Sequence, residues 1–279
     1  MRMSWPTRQR VFDTRKGRLT FQIAFFVIVC IIWQTVHELE IVPPILVPGP
    51  LSIAAQFWEI SVSLLTGGFM QRHFLTTLVE VALGFSAAIV IGLGVGALVS
   101  EFRPARVALM PYVIAFNATP GIAVAPMVLI WFGFGISSKV VMVTISALFP
   151  IIIGTIAGLN SADRLLLRLM RVYGATRFQT LVKLRLKSAL PHFFAGLEIG
   201  VVGAVVGAVV AEFTGGSAGL GYIIIVAQES LDLPLAFASL ILLGLTGLAL
   251  HRLVLAARNL AVSWEGEEVK PLTQRLADE

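Results

Sequence analysis

Charge is scarce in this sequence. Asp, Glu, Lys and Arg together make 13% of 279 residues, about half of what a soluble domain carries. A soluble chain of this length needs a large charged surface, and the residues to build one are missing. Cysteine is nearly absent too. With Cys30 alone, no internal disulfide and no multi-cysteine metal site can form. The four histidines, His37, His73, His192 and His251, are far apart, so nothing suggests a metal cluster. No GxxxxGK[ST] occurs, so the chain does not cradle and hydrolyse ATP by itself in the P-loop manner. No pairing of a nucleophile with a base marks an intramembrane enzyme, and no catalytic residue is assigned. No internal repeat is apparent.

Apolar residues fill the gap, at 57%. They lie in blocks of about 20 residues, the length that crosses roughly 30 Å of hydrocarbon. Six spans are predicted, at about 19–38, 74–99, 107–132, 138–158, 191–212 and 235–257. The first follows Arg2, Arg8, Arg10, Arg15, Lys16 and Arg18, has full membrane length and lacks a small-residue cleavage site, so it reads as a retained helix rather than a signal peptide. The third holds Pro111, Pro120, Gly121 and Pro126 and is expected to be kinked or broken.

The basic residues orient these spans. The N-terminal tail carries 6 Lys+Arg, the 100–106 loop 2, the 159–190 loop 7 and the C-terminal end 4. The alternate loops carry only Arg72 and Lys139, so the ratio is 19 to 2. By the positive-inside rule both termini are expected in the cytoplasm. The same asymmetry accounts for the net charge of +5 without nucleic acid. Expected domains are a basic tail at 1–18, a six-helix membrane domain at 19–262 and a polar cytoplasmic tail at 263–279. Residues 41–50, with four prolines, are expected to be a stiff extended segment. Residues 213–234 are glycine-rich and acidic, and the apolar run 221–227, too short to span, reads as a re-entrant piece.

The most patterned loop is 160–190. Arg164, Arg168 and Arg171 recur on one helical face beside Leu165, Leu169 and Val172. Gly174 then breaks the helix and a second amphipathic stretch begins near Thr176. By pattern alone this is a helix, a glycine turn and a helix, and a basic interfacial helix lying on anionic lipid is an equal reading.

The stretch Arg171-Val-Tyr173-Gly174-Ala175-Thr176-Arg177-Phe178, followed by Pro191, resembles the cytoplasmic "EAA" loop of ABC importer permeases. GLEIG at 196–200, AEFTGGSAGLGY at 211–222 and PMVLIWFGFGISSKV at 126–140 extend the resemblance, which is collinear over about 74–256 and points to the nitrate/sulfonate/taurine type. It implies an all-α polytopic protein with the type I ABC importer permease fold in a bacterial inner membrane. It also implies that 164–180 is a coupling helix seated on a separate ATPase, through Arg168, Arg171, Tyr173, Gly174, Ala175, Thr176, Arg177 and Phe178. Expected partners are a second permease copy or a paired permease, two ATPase subunits and an extracytoplasmic solute-binding protein. ATP and magnesium would be bound by the ATPase, and this chain would hold no cofactor. The solute would be a small anion such as a sulfonate, nitrate, bicarbonate or aromatic acid, although relatives of this type also take pyrimidines or vitamins. The sequence departs from the family pattern at Arg168, Leu169 and Met170, where Glu-Ala-Ala is usual. It departs again at Lys187, where a proline is usual, and at Glu80 and Glu198, where basic residues are common.

Glu80, Glu198 and Glu212 fall within or at the ends of spans, where an ionised carboxylate must face protein or water. Two uses are open: a substrate or ion path, or a structural role as a pair with an arginine or a helix N-terminus or as a protonated carboxyl, with Lys187 a neighbour open to Glu198. Glu80, Glu212 and the segment containing Phe116, Asn117 and Thr119 are the candidate path residues. An ion-coupled secondary transporter that moves a proton through Glu80, Glu198 or Glu212 is the alternative function. Gly92/Gly94/Gly96 and the pairs Gly196/Gly200 and Gly203/Gly207 are read as helix packing, with the last pair open to a dimer interface.

Overall fold

The computed structural model describes residues 15–43 and 45–263; most of the predicted tails, at 1–14 and 264–279, lie outside the described residues. Every regular element among the described residues is helical. In chain order these are α1 (Arg15–Glu38), α2 (Pro50–Leu65), α3 (Phe69–Glu101), α4 (Arg103–Ala118), α5 (Gly121–Phe132), α6 (Ile136–Leu159) and α7 (Arg164–Val172), then α8 (Arg177–Thr180), α9 (Leu186–Gly215), α10 (Leu220–Glu229) and α11 (Leu233–Ala261). A π turn at Leu181–Arg185 joins α8 to α9, giving one helix of 39 residues.

Among the described residues five helices are long and apolar enough to cross a membrane, and the α4–α5 pair, bent by 104°, makes up to six if it is one broken span. The break falls at Thr119 and Pro120. Proline disfavours helical ψ in the residue before it, and Thr119 has ψ 125. Pro111 and Pro126 stay inside α4 and α5.

Two features differ from expectation. Residues 41–42 and 45–47 turn instead of extending, with the Leu46 N–H donating to the Pro43 carbonyl at 2.8 Å. Helix α2 is absent from the six predicted spans. It starts at Pro50, whose fixed φ suits a first helical position, and it buries Ile53 and Ile60 while packing on α11 and α3. At 16 residues, with Glu59 inside, it is too short and too polar for a hydropathy window tuned to spans.

The core is α6, crossed by α3 in parallel and by α9 in antiparallel fashion. Gly84, Gly92 and Gly96 of α3 meet Val143, Ile151 and Thr155 in the same chain direction. Gly154 and Gly158 meet Gly196 and Ala189 in opposite directions. At Gly196 an added Cβ would stand 2.7 Å from the Pro150 carbonyl oxygen, so the backbones approach as closely as small residues allow. Without a hydrophobic drive between helices in lipid, this close packing is what holds α6 to α9. Gly203 and Gly207, open to a dimer role on sequence grounds, face Ser146 of α6 instead. Of the GxGxG glycines, Gly92 and Gly96 face α6 while Gly94 meets nothing within 4 Å.

Candidate functional sites: a central cavity, a buried ion cluster and an exposed hairpin

A cavity of about 930 Å³ opens beside the α4–α5 break, walled by α4, α5, α6, α9 and α11. Phe116, Asn117 and Thr119 line it, as do Ser146 and Phe149 of α6, Glu198 and Val202 of α9 and His251 of α11. The Phe116 and Phe149 rings are nearly parallel, at 8°, with centroids 6.2 Å apart. Glu198 pairs with Arg258 of α11 at 3.1 Å rather than with Lys187. Both partners are partly exposed, so Glu198→Gln is expected to cost about 1 kcal/mol or less in a denaturant titration in mixed micelles.

Glu80 and Glu212 do not line this cavity. They lie in a second, buried cluster, at the end of the molecule where α9 turns into α10. Helix α10 begins with N–H groups that lack intrahelical partners, and side chains from other helices supply them. The Gly219 N–H donates to Nδ1 of His73 at 3.1 Å, the Leu220 N–H to Oγ1 of Thr77 at 2.9 Å, and the Gly221 N–H to Oε2 of Glu212 at 2.5 Å. Because Nδ1 of His73 accepts, its proton sits on Nε2 in the neutral ring. Thr77 Oγ1 lies 2.6 Å from Oε1 of Glu212. Lys139 of α6 completes the cluster: its Nζ is 3.1 Å from Oε1 of Glu80 and donates to the Ala218 carbonyl at 3.4 Å. Glu80, Glu212 and Thr77 are each 1% exposed. Glycine is required at 219, where φ is +120 and an added Cβ would run into the Glu212 carboxylate.

His73, Thr77 and Lys139 are site residues that sequence reasoning misses. The available signal is spacing. His73, Thr77 and Glu80 stand at i, i+4 and i+7, one polar stripe on an otherwise apolar helix. Their partners are 59 to 146 residues away, a separation that no local pattern encodes.

The third site is the hairpin after α6. Helix α7 is capped by Asp163, whose carboxylate accepts from the Leu165 N–H at 2.7 Å. Gly174 turns the chain at φ +69, and a capping box between Thr176 and Gln179 starts α8. Nothing in α7 is buried. Leu165, Val172, Tyr173 and Phe178 are 70 to 83% exposed, beside exposed Arg164, Arg168, Arg171 and Arg177. The base of the hairpin is tied down: Arg185 pairs with Glu101 and donates to the Leu159 carbonyl, and Ser161 donates to the Ser188 carbonyl at 2.9 Å.

Residues 88–260 match the family described as binding-protein-dependent transport system inner membrane component. The chain belongs to that family. It is a permease subunit of an ABC import system, and among its relatives is the riboflavin transport system permease protein of Chloroflexus aurantiacus, 35% identical over 84% of this chain and 86% of that one. The formylaminopyrimidine transport permease protein of Halalkalibacterium halodurans is 32% identical over 88% and 95%. The taurine transport system permease protein of Escherichia coli is 26% identical over 96% and 94%. A methionine ABC transporter solved in inward-facing conformations shares the permease fold, with TM-score 0.61 and 22% identity over 69% of this chain and 95% of that one. The fold is therefore the type I importer fold, and the permease is a membrane protein with multiple apolar spans.

Proposed function

We propose that this permease forms the translocation path of a binding-protein-dependent importer through the α4–α5 cavity, and that residues 164–180 couple the path to a separate ATPase. The observation that carries the reading is the exposed hairpin. An apolar and basic surface that none of the described residues covers marks an interaction site. It is built into the loop between α6 and α9, the two helices that also wall the cavity, so a partner that moves the hairpin moves the walls. In the assembly two copies, or this chain and a related permease, pair with two ATPases and a solute-binding protein. ATP and magnesium bind in the ATPase; this chain supplies the path and the lever. The 19 to 2 distribution of basic residues supports cytoplasmic termini and a cytoplasmic hairpin in a bacterial inner membrane. On that orientation the buried cluster and α10 lie at the extracytoplasmic end.

Arg168, at the position of the usual family glutamate, is assigned to an acidic residue of the ATPase groove. With the complex reconstituted in proteoliposomes, Arg168→Glu is expected to lower solute-stimulated ATPase activity by about tenfold, the equivalent of about 1.4 kcal/mol at the contact. An unchanged rate would remove Arg168 from the coupling surface. Uptake by the chain alone, driven by a pH gradient and abolished by neutralising Glu80, Glu198 or Glu212, would establish the secondary-carrier alternative instead.

A further inference from the structure

We propose that the solute crossing this permease is an uncharged, planar nitrogen heteroaromatic rather than a small anion. The proposal rests on the import reading above and concerns what the cavity accepts.

Charge decides first. No lysine or arginine lines the cavity. Its one carboxylate, Glu198, is held by Arg258, and Lys139 is committed to Glu80 in the buried cluster outside it. A sulfonate or nitrate entering here would shed water and find no lysine or arginine among the lining residues, with Arg258 at the wall already paired with Glu198, an arrangement that disfavours a buried anion.

The walls suit a flat ring. Phe116 and Phe149 present parallel faces, and Phe116 is 58% exposed, so its ring surface is not used up within the chain. Stacking on such faces rewards a planar π system and does nothing for a sulfonate. The volume of about 930 Å³ is in the range of roughly 300–1,000 Å³ typical of small-molecule sites. The polar groups are few and two-sided. The Asn117 amide and the Ser146 hydroxyl can each donate and accept, as can the His251 ring. Such groups read the edge of a heterocycle. The riboflavin and formylaminopyrimidine permeases, at 35% and 32% identity, carry solutes of this class in their names, against 30% for a putative aliphatic sulfonates permease and 26% for the taurine permease.

The test uses the full importer, this chain with its own ATPase and solute-binding protein, in proteoliposomes. Riboflavin and formylaminopyrimidine are offered beside taurine and methanesulfonate. ATP-dependent uptake of at least one heteroaromatic and of neither sulfonate is expected. Phe149→Leu should lower that uptake by roughly threefold to tenfold, the range that stacking energies give, with Phe149→Tyr restoring it. Co-purification of the three subunits by each variant shows that folding and assembly survive. Sulfonate uptake, uptake of neither class, or a Phe149→Leu variant as fast as the parent each overturns the proposal. The import reading is judged separately, by whether the three subunits assemble with solute-stimulated ATPase activity; heteroaromatic uptake that needs no ATP would sink that reading instead.

Discussion

Replacing Lys139 by methionine is expected to cost about 3–5 kcal/mol of stability, the penalty for leaving a buried charge without its partner. Glu80 is 1% exposed, and Oε2 of its carboxylate already has no hydrogen-bond partner among the described residues. The Lys139 ammonium, 3.1 Å away, is what makes its burial tolerable. Methionine keeps much of the apolar stem and removes the charge, so packing loss is kept small. The Ala218 carbonyl would lose its donor in the same step. The check is a denaturant titration in mixed micelles of Lys139→Met, Glu80→Gln and the double variant. The double variant should recover most of the loss, because a buried pair removed together leaves little unsatisfied. A single-variant loss below about 1 kcal/mol, the scale of an exposed pair, would mean that water reaches the cluster.

The second large effect is expected at Gly219. Alanine there meets two penalties at once. At φ +120 a residue with a Cβ is strained by about 1–3 kcal/mol. The Cβ also displaces the Glu212 carboxyl group from the Gly221 N–H and from Thr77, and each such hydrogen bond is worth about 0.5–1.5 kcal/mol net. A total of about 3 kcal/mol or more is expected in the same titration. Gly133 is the control. It too has positive φ, at +77, but a Cβ added there would meet nothing within 4 Å, so Gly133→Ala should carry only the backbone share of about 1–3 kcal/mol. Equal losses at the two positions would show that Glu212 has room to move aside.

Six spans are legible in the sequence because hydropathy is a property of composition along the chain, and composition survives without knowledge of contacts. The break in the third span is legible for a local reason as well, since proline acts on the residue before it. The hairpin at 164–180 is legible from the recurrence of Arg164, Arg168 and Arg171 and from Gly174. Helix α2 is harder to read, although Pro50 following Gly49 is a start signal in plain view. The buried cluster is legible only by halves. Glu80 and Glu212 stand out as intramembrane carboxylates, but Lys139 reads as one of two outer-loop charges. Only the packing of α3 against α6 brings its ammonium to Glu80. A pair of Glu198 with an arginine is among the sequence readings, but which basic residue it meets is not legible for a related reason. Lys187 is near in sequence, whereas Arg258 is 60 residues away on α11.

The π turn at Leu181–Arg185 has a mechanical consequence. Because it continues α8 into α9, the hairpin and the Glu212 cluster belong to one strut of 39 residues, about 58 Å long. Backbone hydrogen bonds, not side-chain packing alone, therefore connect the two ends of the permease. The widened turn, where the register of those bonds changes, lies at the foot of the hairpin, and Pro191, which has no N–H to give, thins the same ladder a little further along, so the strut is stiffest over its apolar length beyond that proline.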